Sequence, residues 1–265
     1  MDIDLLRGKF GRMGARLRLT DVAERDRRGA GIDIGADNLG EYFDIRVSAG
    51  EGIDYEVVDL RPGMRHLLLL ARREKGQKEK YLCGHDERHW FVCAVPGRGV
   101  ASVVAALEAL QPPEVRAAAE RTLRRPKDRL RRHNQAFVRQ GEWFFIPAAD
   151  LIVDEAIVHH DEPISRGRGS KPHRCQFLYR HGGEAVMVCR LHPSGVTIEQ
   201  YNEIVRAQPE AARWNWNWMR RNAAVYARGR VSHPDHMTIV LPGWHRVVMN
   251  TEHEAPASRN VVFLD

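Results

Sequence analysis

The feature that most limits what this chain can fold into is a series of short β-type segments in its first hundred residues. Glu41 to Val47, Tyr55 to Leu60, His66 to Arg72, Lys80 to Cys83 and His89 to Val95 carry β-branched or aromatic residues between Gly- and Asp-rich turns. Gly97-Arg98-Gly99 then opens an Ala- and Leu-rich stretch of helical type, Val100 to Leu110. This is not a dinucleotide fingerprint. Ser102 stands where the third glycine belongs, and Pro112-Pro113 and a basic segment follow in place of a second parallel strand.

Pro113 suits the first turn of a helix running to about Arg125; Pro126 interrupts it, and Lys127 to Phe137 is expected to resume after a kink. The second half reads as strands at Gly141 to Pro147 and Leu151 to Val158. A hairpin follows, Cys175 to Tyr179 with Glu184 to Arg190, turning at His181-Gly182-Gly183. Thr197 and Gln200 form a capping box for a helix through Ala207, and Pro209 starts another. Tyr226 to Val231, Met237 to Leu241 and Trp244 to Met249 close the chain as antiparallel strands. The expected fold is α+β, mainly antiparallel β-sheet in two β-rich halves joined by a basic helical connector. The halves are residues 1–111, ending in one helix, and 138–265; the connector is 112–137.

With 43% apolar and 29% charged residues, the chain is neither disordered nor membrane-spanning in type. Its longest apolar run, Leu67 to Ala71, is far too short for a bilayer. Acids at Asp2 and Asp4 do not fit a signal peptide, so a cytoplasmic location is expected, with Cys83, Cys93, Cys175 and Cys189 as thiols or metal thiolates. The net charge is +6, and the stretch from Arg116 to Arg132, with eight basic and two acidic residues, accounts for all of it. Such a patch faces phosphate or is a solvated helix face. Arg121, Arg124, Arg125, Arg129 and Arg132, with Arg166, Arg168 and Lys171 of a Gly-rich loop, are the candidate contacts to DNA or RNA.

Thirteen histidines, several beside acids, supply the chemistry. His233-Pro234-Asp235-His236 lies between two strands, and His233, Asp235 and His236 are ligand types that zinc or manganese accepts. The bland alternative is an ordinary Pro-Asp turn. A tight turn at Pro242-Gly243 would put His245 on the same sheet face as His236 but about four residues of rise away, roughly 13 Å, too far to share an ion. His85, Asp86, Glu87 and His89 would project from a hairpin tip as general acid, base or ligands; alternatively Arg88 pairs with those acids. With a three-residue turn at His181 to Gly183, Cys175 would face Cys189, and His173 and His192 would complete a structural zinc site; the alternative is two buried thiols. Trp214-Asn215-Trp216-Asn217-Trp218 offers three indoles on one side as a strand, a platform for unpaired bases, or a split set as a helix.

The expected activity is therefore a metal-dependent phosphodiesterase or nuclease, using a divalent ion to activate water and His85 or Glu87 as general base. The alternative is a non-catalytic subunit of a nucleoprotein or protein assembly, its histidines and acids serving interfaces with a protein partner. No membrane association is expected.

Overall fold

The structure, a computed structural model, describes residues 2–22, 31–48, 52–73, 76–97, 99–123, 125–166 and 170–254. The acidic N-terminus begins a helix: the Asp2 carboxylate accepts a hydrogen bond from the Leu5 amide (3.0 Å), capping α1 (Ile3–Arg12), which buries Leu6 and Phe10. Strands β1 (Leu17–Val22), β2 (Gly31–Asp37) and β3 (Gly40–Ser48) form a sheet in the order β1-β3-β2, with β1 parallel to β3. β4 (Asp54–Arg61), β5 (His66–Arg72), β6 (Lys78–Asp86) and β7 (His89–Ala94) form an antiparallel meander, as the sequence pattern predicts.

The run Leu67 to Ala71 is apolar without alternation because β5 is covered on both faces. Leu67, Leu69 and Ala71 pack with Phe10 and Phe43 on one side, whereas Leu68 packs with Val103 and Ala106 of α2 (Val103–Ala109) on the other. Ser102 is the N-cap of α2, its hydroxyl accepting from the Ala105 amide. Truncating Leu68 to alanine should cost about 2–5 kcal/mol of stability in urea unfolding. A cost near zero would contradict this two-sided burial.

α3 (Pro113–Thr122) buries Val115, Ala118 and Ala119 against Phe137 and Phe144. β8 (Val138–Gln140), β9 (Trp143–Pro147), β10 (His159–Ile164) and β11 (His173–His181) follow, then β12 (Glu184–Cys189), β13 (His192–Val196), α4 (Ile198–Ala207) and β14 (Asn217–Arg221). β15 (Ala224–Ser232) and β16 (Ile239–Met249) are the last strands. The main sheet runs β10-β11-β15-β16-β9-β8, and a small sheet runs β13-β12-β14. The fold is α+β with mostly antiparallel sheets. Among the described residues, no helix is long and apolar enough to cross a membrane.

Four local expectations are corrected. Lys127 to Phe137 does not resume as an α-helix: after a 3-10 turn (Pro126–Leu130), the Asn134 side chain accepts from the Ala136 and Phe137 amides and turns the chain. Leu151 to Val158 is not a strand, because Asp154 caps a 3-10 turn at Glu155–Ile157 and pairing begins only at His159. Pro242-Gly243 is not a hairpin turn. β16 passes through it in a bulge, where a proline lacking an N–H is tolerated.

The fourth concerns His181-Gly182-Gly183. Strand β11 pairs with β10 and β15, and β12 pairs with β13 and β14, so the two do not form a hairpin. Instead one antiparallel ribbon continues past the glycines, with His181 facing Ala224 and then Glu184 facing Arg221. A Cβ on Gly183 would lie 2.7 Å from the Arg221 carbonyl oxygen, so glycine permits the close crossing at which the ribbon passes from one sheet to the other.

The segments on either side of the connector are hydrogen-bonded together. Thr251 donates through its amide to the Leu110 carbonyl (3.2 Å) and through its hydroxyl to that of Ala109 (2.7 Å). The fully buried Glu252 accepts from the Ala94 amide and pairs with Arg166 at 3.1 Å.

Candidate metal centre

His233 and His236 sit on the loop between β15 and β16, and His173 opens the neighbouring strand β11. One nitrogen from each of these three imidazoles lies within 4.8 Å of the other two. The rings are close to parallel: His173 and His233 have centroids 4.2 Å apart, His233 and His236 4.6 Å, His173 and His236 5.5 Å. His173 is 1% exposed.

Gln140 fastens both ends of the loop, its side-chain amide donating to the carbonyls of Val231 (3.3 Å) and Met237 (2.7 Å). The next residue, Gly141, has φ +57, and a Cβ there would lie 2.7 Å from His236 Nε2 and 3.4 Å from His173 Nε2. The floor of the cluster is thus a glycine backbone.

Burial pushes His173 down to about 3 and His236 to about 4, and repulsion from the neighbouring rings adds to the shift. Both are therefore neutral at physiological pH, with lone pairs available. Both nitrogens of His173 and Nδ1 of His236 are buried without a hydrogen-bond partner among the described residues. Buried polar atoms are rarely left so, and a ligand is one of the usual reasons. In His233, Nε2 faces the Lys171 carbonyl (3.3 Å) and Nδ1 accepts from the Asp235 amide (3.1 Å). An Nε2–H on a carbonyl fixes this ring's tautomer and leaves the Nδ1 lone pair engaged by the Asp235 amide.

Asp235, expected among the ligands, is outside this group of three. Its carboxylate pairs with Lys171 at 2.8 Å; burial alone would raise its pKa, but the ammonium outweighs that and holds it below the ordinary carboxylate value. His245 is also remote in register, buried opposite Ala227 and Pro147. The expected four-residue zinc set does not assemble. Cys175 faces Glu162 and Val231, Cys189 pairs with His192 in the small sheet, and His192 packs on Trp214 and Trp216. Burial pushes the Cys175 thiol up to about 12, so it stays protonated.

The β6–β7 hairpin tip does reach the cluster, through one residue. Glu87 (φ +38) accepts from the Met237 amide (2.6 Å), directly after His236, and from Arg132 (2.7 Å). Asp86 is buried and also pairs with Arg132, so the connector and not Arg88 neutralises these acids. His85 lies edge-on to Trp90, and His89 Nδ1 meets Glu41 at 2.6 Å; neither belongs to the triad.

The cations divide. Arg121 and Arg125 are exposed with no acid partner among the described residues, while Arg129 is half-buried. Arg132 is turned onto Asp86 and Glu87 and Arg166 onto Glu252, because carboxylates this sheltered need a counter-charge, and Lys171 pairs with the partly exposed Asp235. Arg124 and Arg168 lie outside the described residues. Of the site, sequence reasoning missed His173 as a partner of the loop, and with it Gln140 and Gly141. The one local sign was a Gln-Gly pair before an aromatic strand.

No protein-family model, curated protein or solved structure matches this chain, so the chemistry of the site rests on its own side chains.

Proposed function

We propose that the chain is a divalent-metal hydrolase of phosphodiesters in nucleic acid, with zinc held by His173, His233 and His236. The observation that carries this reading is the grouping of three imidazoles, one nitrogen of each within 4.8 Å of the others, beside a glycine backbone, two of the rings being neutral with buried nitrogens that have no partner among the described residues. Three imidazoles and an open fourth position are a common catalytic zinc set, and an all-nitrogen set favours zinc over manganese. A bound zinc supplies a water of lowered pKa. Glu87, anchored on the amide after His236, fixes the ligand loop. Arg121 and Arg125 supply exposed positive charge for the polyanion.

The test is metal analysis of the purified protein alongside hydrolysis of a simple phosphodiester and of DNA and RNA oligomers. One zinc per chain and turnover are expected, both lost in His236→Ala. A chain without stoichiometric metal would overturn the reading. Zinc without turnover on any phosphodiester would replace it with a structural centre in a non-catalytic assembly subunit.

A further inference from the structure

We propose that the groove beside Trp214 is a stacking site for an unpaired base of single-stranded nucleic acid, separate from the metal centre. It rests on the nucleic-acid part of the functional reading and not on the metal. The three clustered tryptophans differ in role. Trp216 is structural: its indole N–H donates to the Ala211 carbonyl (2.7 Å), and Tyr201 meets its face edge-on. Trp218 is an exposed β14 residue beneath Arg220, whose guanidinium lies 5.4 Å from its ring centroid.

Trp214 is neither. It is half-buried, and its indole N–H has no partner among the described residues. Its plane is set by two nearly parallel rings, His192 at 22° and Trp216 at 24°, with centroids about 6 Å away. It lines a groove of about 640 Å³ with Arg190, Leu191, Pro193, Asn215 and Asn217. That volume is in the range of small-molecule and nucleotide sites.

The chemistry of the lining selects the occupant. A pre-fixed indole faces an opening to which Leu191 and Pro193 add apolar wall, which suits a flat π-surface. Asn215 and Asn217 are exposed and bring amide donors and acceptors to a base edge. Neutral sugars also use aromatic planes and amides, so charge decides between them. Arg190, in the wall, and Arg213, beside Trp214 in sequence, are exposed and have no acid partner among the described residues, whereas Arg221 is committed to Glu184. Unpaired guanidiniums around an aromatic plane fit a base with its phosphates.

The experiment is fluorescence anisotropy of a labelled oligo-dT with the full chain in EDTA, so that binding is read without turnover. Tight, salt-weakened binding is expected, with Trp214→Ala weakening it about tenfold or more and Trp214→Phe, which keeps a ring, losing less. Arg190→Gln should weaken binding and lower the salt slope by about one. Because EDTA removes any zinc, binding measured there is read apart from the metal centre. Wild-type oligo-dT binding unchanged in Trp214→Ala, no oligo-dT binding at all, or binding of a neutral oligosaccharide instead would each overturn the proposal. Metal content and hydrolysis are read separately, so either proposal can fail alone.

Discussion

Gly141→Ala should weaken zinc binding about 100-fold or more while leaving most of the fold intact. Two separable effects are involved. The first is backbone strain, since φ +57 is a left-handed conformation that costs an L-residue about 1–2 kcal/mol. The second is occupancy. The new methyl would lie 2.7 Å from His236 Nε2 and 3.4 Å from His173 Nε2, so the imidazoles must rotate or the loop must move. The loop has little freedom, because Gln140 holds both ends and Glu87 holds the amide after His236. A metal site whose outer supports are disturbed typically loses 10–100-fold in affinity, and a direct intrusion between ligands should lose about 100-fold or more. Gly182→Ala is the matched control: φ is +67 there, and nothing lies within 4 Å of the added carbon. Zinc titration calorimetry on both variants checks the claim. Equal zinc affinity in Gly141→Ala and Gly182→Ala would mean that the glycine floor plays no part in the site.

That site was half legible in the sequence. Local signals held where local physics decides. The strand at His66 to Arg72, the capping box at Thr197 and the helix start at Pro113 all carry their own warrants, in burial pattern, side-chain caps and φ preference. The loop His233 to His236 was recognisable for the same reason, as paired imidazoles stiffened by a proline. The third imidazole was not. His173 joins the loop only because Arg174 pairs with Ser232 at the end of β15, a register that no pattern near His173 encodes. Asp235 misled by proximity, since adjacency in sequence says nothing about Lys171, which lies across the strand end and claims its carboxylate. The basic connector was legible only as charge. Charge counting sees eight cations, but not that Arg132 is required to balance Asp86 and Glu87 where the hairpin tip is buried against it.

Acid should unfold the metal-free protein well before its carboxylates titrate, and His173 should be a principal cause. The folded chain holds His173 at about 3 and His236 at about 4, against an ordinary value near 6.5, because both rings are desolvated beside other imidazoles. Below that ordinary value the unfolded chain takes up protons that the folded chain refuses. Stability is therefore full above about pH 6.5 and falls as pH drops toward the folded values. Between about pH 7 and pH 5 the loss should approach about 2 kcal/mol per ring. Urea midpoints in EDTA across that interval measure it.

His173→Leu sharpens the test. Both ring nitrogens are buried without partners among the described residues, so an apolar side chain of similar bulk removes a desolvated polar group and breaks no hydrogen bond there. The variant should be at least as stable as the wild type near neutral pH, distinctly more stable near pH 5, and unable to bind zinc. A wild type whose midpoint does not move with pH, or a variant with the same slope, would show that these rings are hydrated in solution. Two buried imidazoles that cost stability as the pH falls fit the pattern of a fold that gives up stability for a site.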